Sequence, residues 1–254
     1  VTQTQYTLGV HFNGVLGNRL VAAVALGSSL FLLIYLAALG LALSITPIVG
    51  EQYARGDNGI VGKLLTNSIF YCTAIGIIAT IAAVALRPFI GVLGEWMSSP
   101  GESVEAVAEM ALPYYDLLVW SIIPLMFFLC VKQFLEGIGN TKVAMWITLA
   151  GNGLNILLNY VFIFGHCGFE PMGATGAGLA TLISRVVQMA IILAYFFLSR
   201  RLRIYRSLFE SKALRPAYLR SIASVGMPIS FQMVLESAAF ILTSILALSF
   251  GAIS

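Results

Sequence analysis

The sequence predicts an all-α polytopic membrane protein, and three observations carry that prediction. Apolar residues make up 59% of the 254-residue chain and charged residues 10%, against about 45–50% and about 25% in soluble domains. The apolar residues gather into long uninterrupted stretches, with a mean hydropathy of +0.93 over the chain. Ionisable side chains inside those stretches are sparse, and Asp116, Lys132, Glu136, Arg185 and Glu236 stand out. A charge at bilayer depth costs about 2.5–3.5 kcal/mol on insertion scales, so such residues face a cavity, a partner or an ion path. The interior of this membrane protein is therefore expected to be polar.

About seven transmembrane helices are expected. A short apolar segment ends near Asn13, and six full spans follow at about 20–48, 64–93, 113–136, 143–165, 173–199 and 219–250, each long enough to cross with some tilt. Gly and Pro recur within them, as in Thr46-Pro47, Ile123-Pro124 and Gly226-Met227-Pro228, and membrane helices tolerate these because neighbours re-satisfy the freed carbonyls. Between 93 and 113, Ser99-Pro100-Gly101-Glu102 offers a capping Ser, a Pro at the first helical position and a Glu three residues after the cap. That pattern predicts a short surface helix continuing through Val104, Val107 and Ala108 along the outer membrane face. The chain opens with Val1 and stops at Ser254 just after a seventh span, and is expected to be incomplete at both ends.

The connections alternate in charge. Arg55 and Lys63, then Lys142, then Arg200, Arg201, Arg203, Arg206, Lys212, Arg215 and Arg220 mark one face, while Glu95, Glu102, Glu105 and Glu109, and later His166 and Glu170, mark the other. The positive-inside rule makes the basic loops cytoplasmic. The net charge of +3 is thus a topology signal and does not call for nucleic acid. A lipid head-group or nucleic-acid patch over 200–220 is the competing reading of the same residues, since basic clusters bind both.

Enzymatic chemistry finds little footing. His166-Cys167 is too sparse for a zinc site, which takes three or four ligands, and cysteines at 72, 130 and 167 give no disulfide pattern. No G-x-x-x-x-G-K-[ST] loop is present, so nucleotide hydrolysis is not the energy source carried by this chain. No cofactor is expected.

The run Phe134-Leu135-Glu136-Gly137-Ile138-Gly139-Asn140-Thr141-Lys142, continued by Gly151-Asn152-Gly153-Leu154-Asn155-Ile156-Leu157-Leu158-Asn159-Tyr160, resembles the fourth-to-fifth helix region of multidrug and toxic compound extrusion (MATE) transporters. Leu20 to Gly27, Thr46 to Tyr53, Gly173 to Thr181 and Gly226-Met227-Pro228 leading to Glu236 agree in order and spacing. The resemblance spans essentially the whole chain and is closer to the NorM-like branch. It implies the N-terminal lobe of a twelve-helix, two-lobe transporter. Residues 1–199 would form a six-helix lobe with a partial first helix, 200–218 a basic inter-lobe loop, and 219–254 the seventh helix, opening a C-terminal lobe that is the chain's expected partner. It further implies Na⁺- or H⁺-coupled antiport of amphipathic organic cations by alternating access, in a bacterial inner membrane. A lipid-linked oligosaccharide flippase of related architecture is the alternative, although it calls for an arginine-rich cavity and Arg185 is the single central arginine.

Glu236 is the first candidate for cation or proton coupling. It sits well inside the seventh span among apolar neighbours, with Gln232 one turn earlier on the same face. Burial at such a site favours the protonated form near neutral pH, which lets an acid trade a proton for an ion. Asn152, Asn155 and Asn159, spaced by three and four, share one helix face, and amide oxygens either ligate Na⁺ or knit helices together. Asn155 and Asn159 join Glu236 as coupling candidates, with Asn152, Thr181 and Arg185 in support. Tyr35, Phe127 and Phe128 are candidates for a substrate cavity through contact with an organic cation. The chain departs from the family in one respect. Relatives commonly place an Asp in the first helix, where Gly9 stands here with His11 and Asn13 nearby, and DinF-like relatives place another where Asn159 stands.

Lys132 and Glu136, four apart, are expected to pair on one helix face. Asp116 is expected at the outer interface, solvated. Arg185 requires a buried partner that the sequence does not name.

Overall fold

A computed structural model describes residues 15–90, 104–166, 168, 170–207 and 214–251. Nine α-helices and one 3-10 turn occupy them, and no strand occurs among the described residues. In order they are α1 (Val15–Leu43), α2 (Ile45–Ala54), α3 (Asn58–Leu86), α4 (Val104–Trp120), α5 (Ile122–Gly137), α6 (Thr141–Phe164), α7 (Gly173–Leu198), the 3-10 turn Arg200–Leu202, α8 (Arg203–Ser207) and α9 (Pro216–Gly251). Six segments are long and apolar enough to cross a membrane: Phe31–Ala54, Asn58–Leu86, Ala111–Gly137, Thr141–Phe164, Gly173–Leu198 and Pro216–Ala239. These correspond to the six full spans expected from the sequence. The short segment expected before Asn13 lies outside the described residues.

Two spans are broken in the same way. Ser44 separates α1 from α2 and Ser121 separates α4 from α5, and in each case a Pro follows three residues later, at Pro47 and Pro124. Each Ser turns its hydroxyl back on the helix before it: Ser44 Oγ donates to Leu41 O at 2.7 Å and Ser121 Oγ to Leu118 O at 2.6 Å. Such back-bonding bends helices, and a Pro in the first turn of the next segment lacks an N–H that would have no partner there anyway. The chain therefore resumes its helix directly, and residues 45–54, expected to leave the membrane near 48, continue as α2.

The outer connection also differs from expectation. The capping residues Ser99 to Glu102 lie outside the described residues, but Val104 to Trp120 is one helix running through Pro113 into the span. No separate surface helix forms from 104 onward, because a ring at Pro113 costs one ladder bond without ending the helix where packing holds both sides.

Turns are closed by local chemistry. Asp57 caps α3, accepting from Ile60 N at 3.0 Å. At the end of α5, Gly139 takes φ +76° while Asn140 N bonds Leu135 O at 2.8 Å, and Gly165 takes φ +71° after α6. Left-handed caps of this kind satisfy the last carbonyls and favour glycine.

The α4–α5 span is the centre of the bundle, with most of its length buried, whereas far less of each of the other five spans is buried. α1 packs on α9, α4 and α3, and α7 packs on α6, α4 and α5. Close approach is achieved by small residues, as is usual between membrane helices. A Cβ on Gly40 would stand 2.3 Å from Ser230 Cα, and Ser230 Oγ donates to Ala37 O at 2.8 Å, tying α9 to α1. Ile78, Ile81, Trp120, Trp146, Leu157 and Phe231 remain exposed on the periphery, the surface an integral membrane protein turns to lipid.

In the basic segment after α7, residues 200–207 and 214–215 pack on the bundle. Leu202 and Tyr205 are buried, Tyr205 Oη donates to Asn58 Oδ1 at 3.2 Å, and Arg215 N donates to Asn67 Oδ1 at 3.0 Å. These residues thus dock at the start of α3, which carries Lys63 and follows Arg55 at the end of α2, so the described basic residues share one end of the bundle.

Candidate functional site: a polar cavity between spans

α7 carries a polar stripe through an otherwise apolar helix. Thr181, Ser184, Arg185 and Gln188 fall at intervals of three, one and three, which places them on one face. Across from it, α6 presents Asn152 and Asn155 beside Gly151. The two faces, closed by Phe31 of α1 and Tyr114 and Leu118 of α4, enclose a cavity of about 210 Å³. Drug-sized pockets run to about 300–1,000 Å³, so this volume suits part of a larger ligand or a small one.

Gly151 makes the approach of α6 to α7 possible. A Cβ there would lie 2.0 Å from Gln188 Nε2, so the buried amide of Gln188 fills the space that a side chain would take.

Arg185 is the cationic group of the cavity. Its Nη1 donates to Ser121 Oγ, and its Cζ lies 4.9 Å from the centroid of the Phe31 ring. The ring face and a hydroxyl together offset part of the desolvation of the guanidinium. No carboxylate pairs with Arg185 among the described residues. The partner the sequence left unnamed is therefore the helix break at Ser121, fully buried.

An amide ladder extends from the cavity. Asn155 Nδ2 reaches Thr181 Oγ1 at 3.5 Å, and Asn159 Nδ2 donates to Asn155 Oδ1 at 3.0 Å. Thr181 Oγ1 itself donates to Ala177 O at 2.9 Å. The ladder ends in Asn159 Oδ1, which is buried and receives no hydrogen bond from the described residues. An orphaned buried carbonyl oxygen is costly in an apolar setting and is a ready ligand for a cation or a proton donor.

The structure brings together Asn152, Asn155, Asn159, Thr181 and Arg185. It keeps Glu236 and Gln232 elsewhere, both exposed on α9, so the described residues do not supply the burial expected for Glu236. Of the aromatic candidates, none lines the cavity. Tyr35 stacks on Phe31 at 6.0 Å between centroids, Phe127 is half-buried, and Phe128 belongs to the core at 4% exposure. Phe128 is drawn inward because it sits on the central span, and Phe31 and Tyr114 take the lining role instead.

Lys132 and Glu136 pair as expected, at 3.4 Å. Asp116 is partly exposed, as expected of the interface, and also pairs with Arg87 at 2.9 Å. His11 and Asn13 lie outside the described residues. No group of three or more metal-ligating side chains occurs among the described residues. Sequence reasoning passed over Ser184 and Gln188, though their spacing from Thr181 and Arg185 was a readable signal. Ser121, Phe31 and Tyr114 reach the site only through tertiary packing.

The chain matches the MatE family model over residues 3–161. It is 31% identical to a probable multidrug resistance protein NorM of Geobacillus kaustophilus (strain HTA426), over 99% of this chain and 55% of that protein. A probable multidrug resistance protein NorM of Rhizobium meliloti (strain 1021) is 28% identical, over 97% of this chain and 51% of the relative. The chain thus spans about half the length of the curated relatives it matches. Among solved structures, the inward-facing conformation of a multidrug resistance MATE family transporter of the MOP superfamily aligns with a TM-score of 0.70 at 28% identity, covering 85% of this chain and 46% of that one. An outward-facing conformation aligns with a TM-score of 0.73 at 27% identity, covering 94% and 50%.

Proposed function

Because the chain belongs to the MatE family, we propose that it forms one lobe of a two-lobe antiporter that exports amphipathic organic cations by alternating access, driven by Na⁺ or H⁺. In this reading residues 1–199 are the six-helix lobe, 200–218 the inter-lobe connection and 219–254 the first helix of the second lobe. The basic end faces the cytoplasm of a bacterial inner membrane.

The observation that carries the proposal is the state of the intramembrane acids. Asp116 and Glu136 each pair with a cation, whereas Glu236 has no cationic partner among the described residues and stands exposed on α9. An unpaired acid at membrane depth is available to an ion or a cationic solute. Its exposed position on α9, directed away from the packed bundle, suits a groove shared with a second lobe. The amide ladder ending at Asn159 Oδ1 supports a second, neutral station for the coupling ion. Similarity to NorM proteins named for multidrug resistance supports organic compounds as cargo.

The test is ethidium efflux from cells expressing the full-length transporter, wild type against Glu236→Gln, with Na⁺ and pH gradients imposed separately. The expected result is efflux that follows one gradient and is lost in the variant. No efflux from well-expressed wild type under either gradient would overturn drug export and favour the flippase reading.

A further inference from the structure

We infer that the cavity around Arg185 is an anion subsite, receiving the carboxylate of a small aromatic or amphipathic solute. This rests on the reading of the chain as part of an exporter, and it assigns to that exporter a cargo group opposite in charge to the one expected at Glu236. Arg185 is the sole charged residue among the described residues that line the cavity, and residues 1–50 contain no acid at all. Nothing from the first helix can therefore neutralise it, whatever its placement. A guanidinium carries five N–H donors, and Ser121 with the Phe31 ring account for only part of that capacity. A planar carboxylate matches the guanidinium fork in two parallel bonds, which a spherical ion does not.

The remaining lining is matched to such a ligand. Asn152 and Asn155 bring amide donors to the same space, whereas the Ser184 hydroxyl is already donated to Ala180 O at 2.7 Å. Phe31 and Tyr114 provide aromatic walls for an apolar ring. At about 210 Å³ the cavity holds roughly seven water volumes, room for a small aromatic acid. A free cation entering the same cavity would meet a positive charge that no carboxylate pairs among the described residues.

The probes are 1-naphthoate and 1-naphthylmethylammonium, which share a ring system and differ in the sign of the charge. Each is titrated into the purified full-length transporter and into folded Arg185→Gln and Arg185→Lys variants. Expected are tighter binding of naphthoate than of the ammonium by tenfold or more in wild type, a tenfold or greater loss in Arg185→Gln, and partial retention in Arg185→Lys. Equal naphthoate affinity in wild type and folded Arg185→Gln would overturn the proposal. A second measurement does not depend on that variant folding. In a cysteine-free background, Asn152→Cys is expected to react faster with a negatively charged methanethiosulfonate reagent than with a positively charged one, and to be protected by naphthoate. The opposite rate order, or absence of protection, would also overturn the assignment. Binding requires no transport, so loss of the exporter reading in the ethidium assay and loss of the anion subsite are separately visible.

Discussion

Ser121 spends its hydroxyl twice, donating to Leu118 O and accepting from Arg185, and every consequence of removing it falls on a buried charge. Hydrogen bonds to charged groups are worth about 1.5–3 kcal/mol, so Ser121→Ala is expected to lower unfolding stability by that amount while Ser121→Thr retains most of it. Denaturant unfolding in detergent measures both. Asn159 behaves differently, since its Oδ1 already lacks a donor. Replacing it with Leu gives up the bond to Asn155 and is expected to cost about 1 kcal/mol or less, the scale of interhelical polar contacts in membranes. The same change is expected to weaken the dependence of ethidium efflux on the imposed gradient. Full retention of coupling would leave Asn159 as a packing group. The asparagine face was legible because three- and four-residue spacing is helix geometry. The pairing of Arg185 with Ser121 was not, because the two lie 64 positions apart and only the break between α4 and α5 brings them together.

Helix contacts in this bundle are decided by which atoms face a glycine. At Gly40 the neighbour is the backbone of Ser230, at 2.3 Å from an added Cβ, and at Gly151 it is the side-chain amide of Gln188, at 2.0 Å. Backbone cannot yield without moving α9, whereas an amide can rotate away. Gly40→Ala is therefore expected to destabilise by about 1–3 kcal/mol, the usual cost of overpacking, and Gly151→Ala by less. Thermal unfolding of the two variants side by side checks the order. Gly151→Ala should instead alter ligand affinity, because Gln188 lines the cavity and would be displaced within it. Span positions were readable from hydropathy to within several residues. Where they were misjudged, at 45–54 and 104–112, the span was bounded by its apolar run, although the helix continues past that run on either side, as 45–54 after the break at Ser44 and 104–112 ahead of Pro113.

As a whole, the molecule surrounds one well-buried span with five that turn much of their surface outward, and its polar groups are held on the inner faces of α6 and α7. That distribution was implicit in composition, since a chain so poor in charge places each charge at a cost. Which face of α9 carries Glu236 was not implicit, because the 36 residues of that helix are apolar nearly all round and their orientation is set by Gly40, Ser230 and Gly226 against α1. The break at Ser121 has a consequence for energetics on the scale of the cell. A bend in the central span is bonded to a fixed positive charge, so any rocking of that bend carries the charge through the transmembrane electric field. One elementary charge crossing the full field is worth about 2.3 kcal/mol per 100 mV, so displacement through a tenth of it contributes about 0.2 kcal/mol per 100 mV. The transport cycle is then expected to respond to voltage even when the solutes exchanged are electrically balanced. In current recordings from proteoliposomes on a solid-supported membrane, a transient charge movement on addition of substrate should shrink in Arg185→Gln.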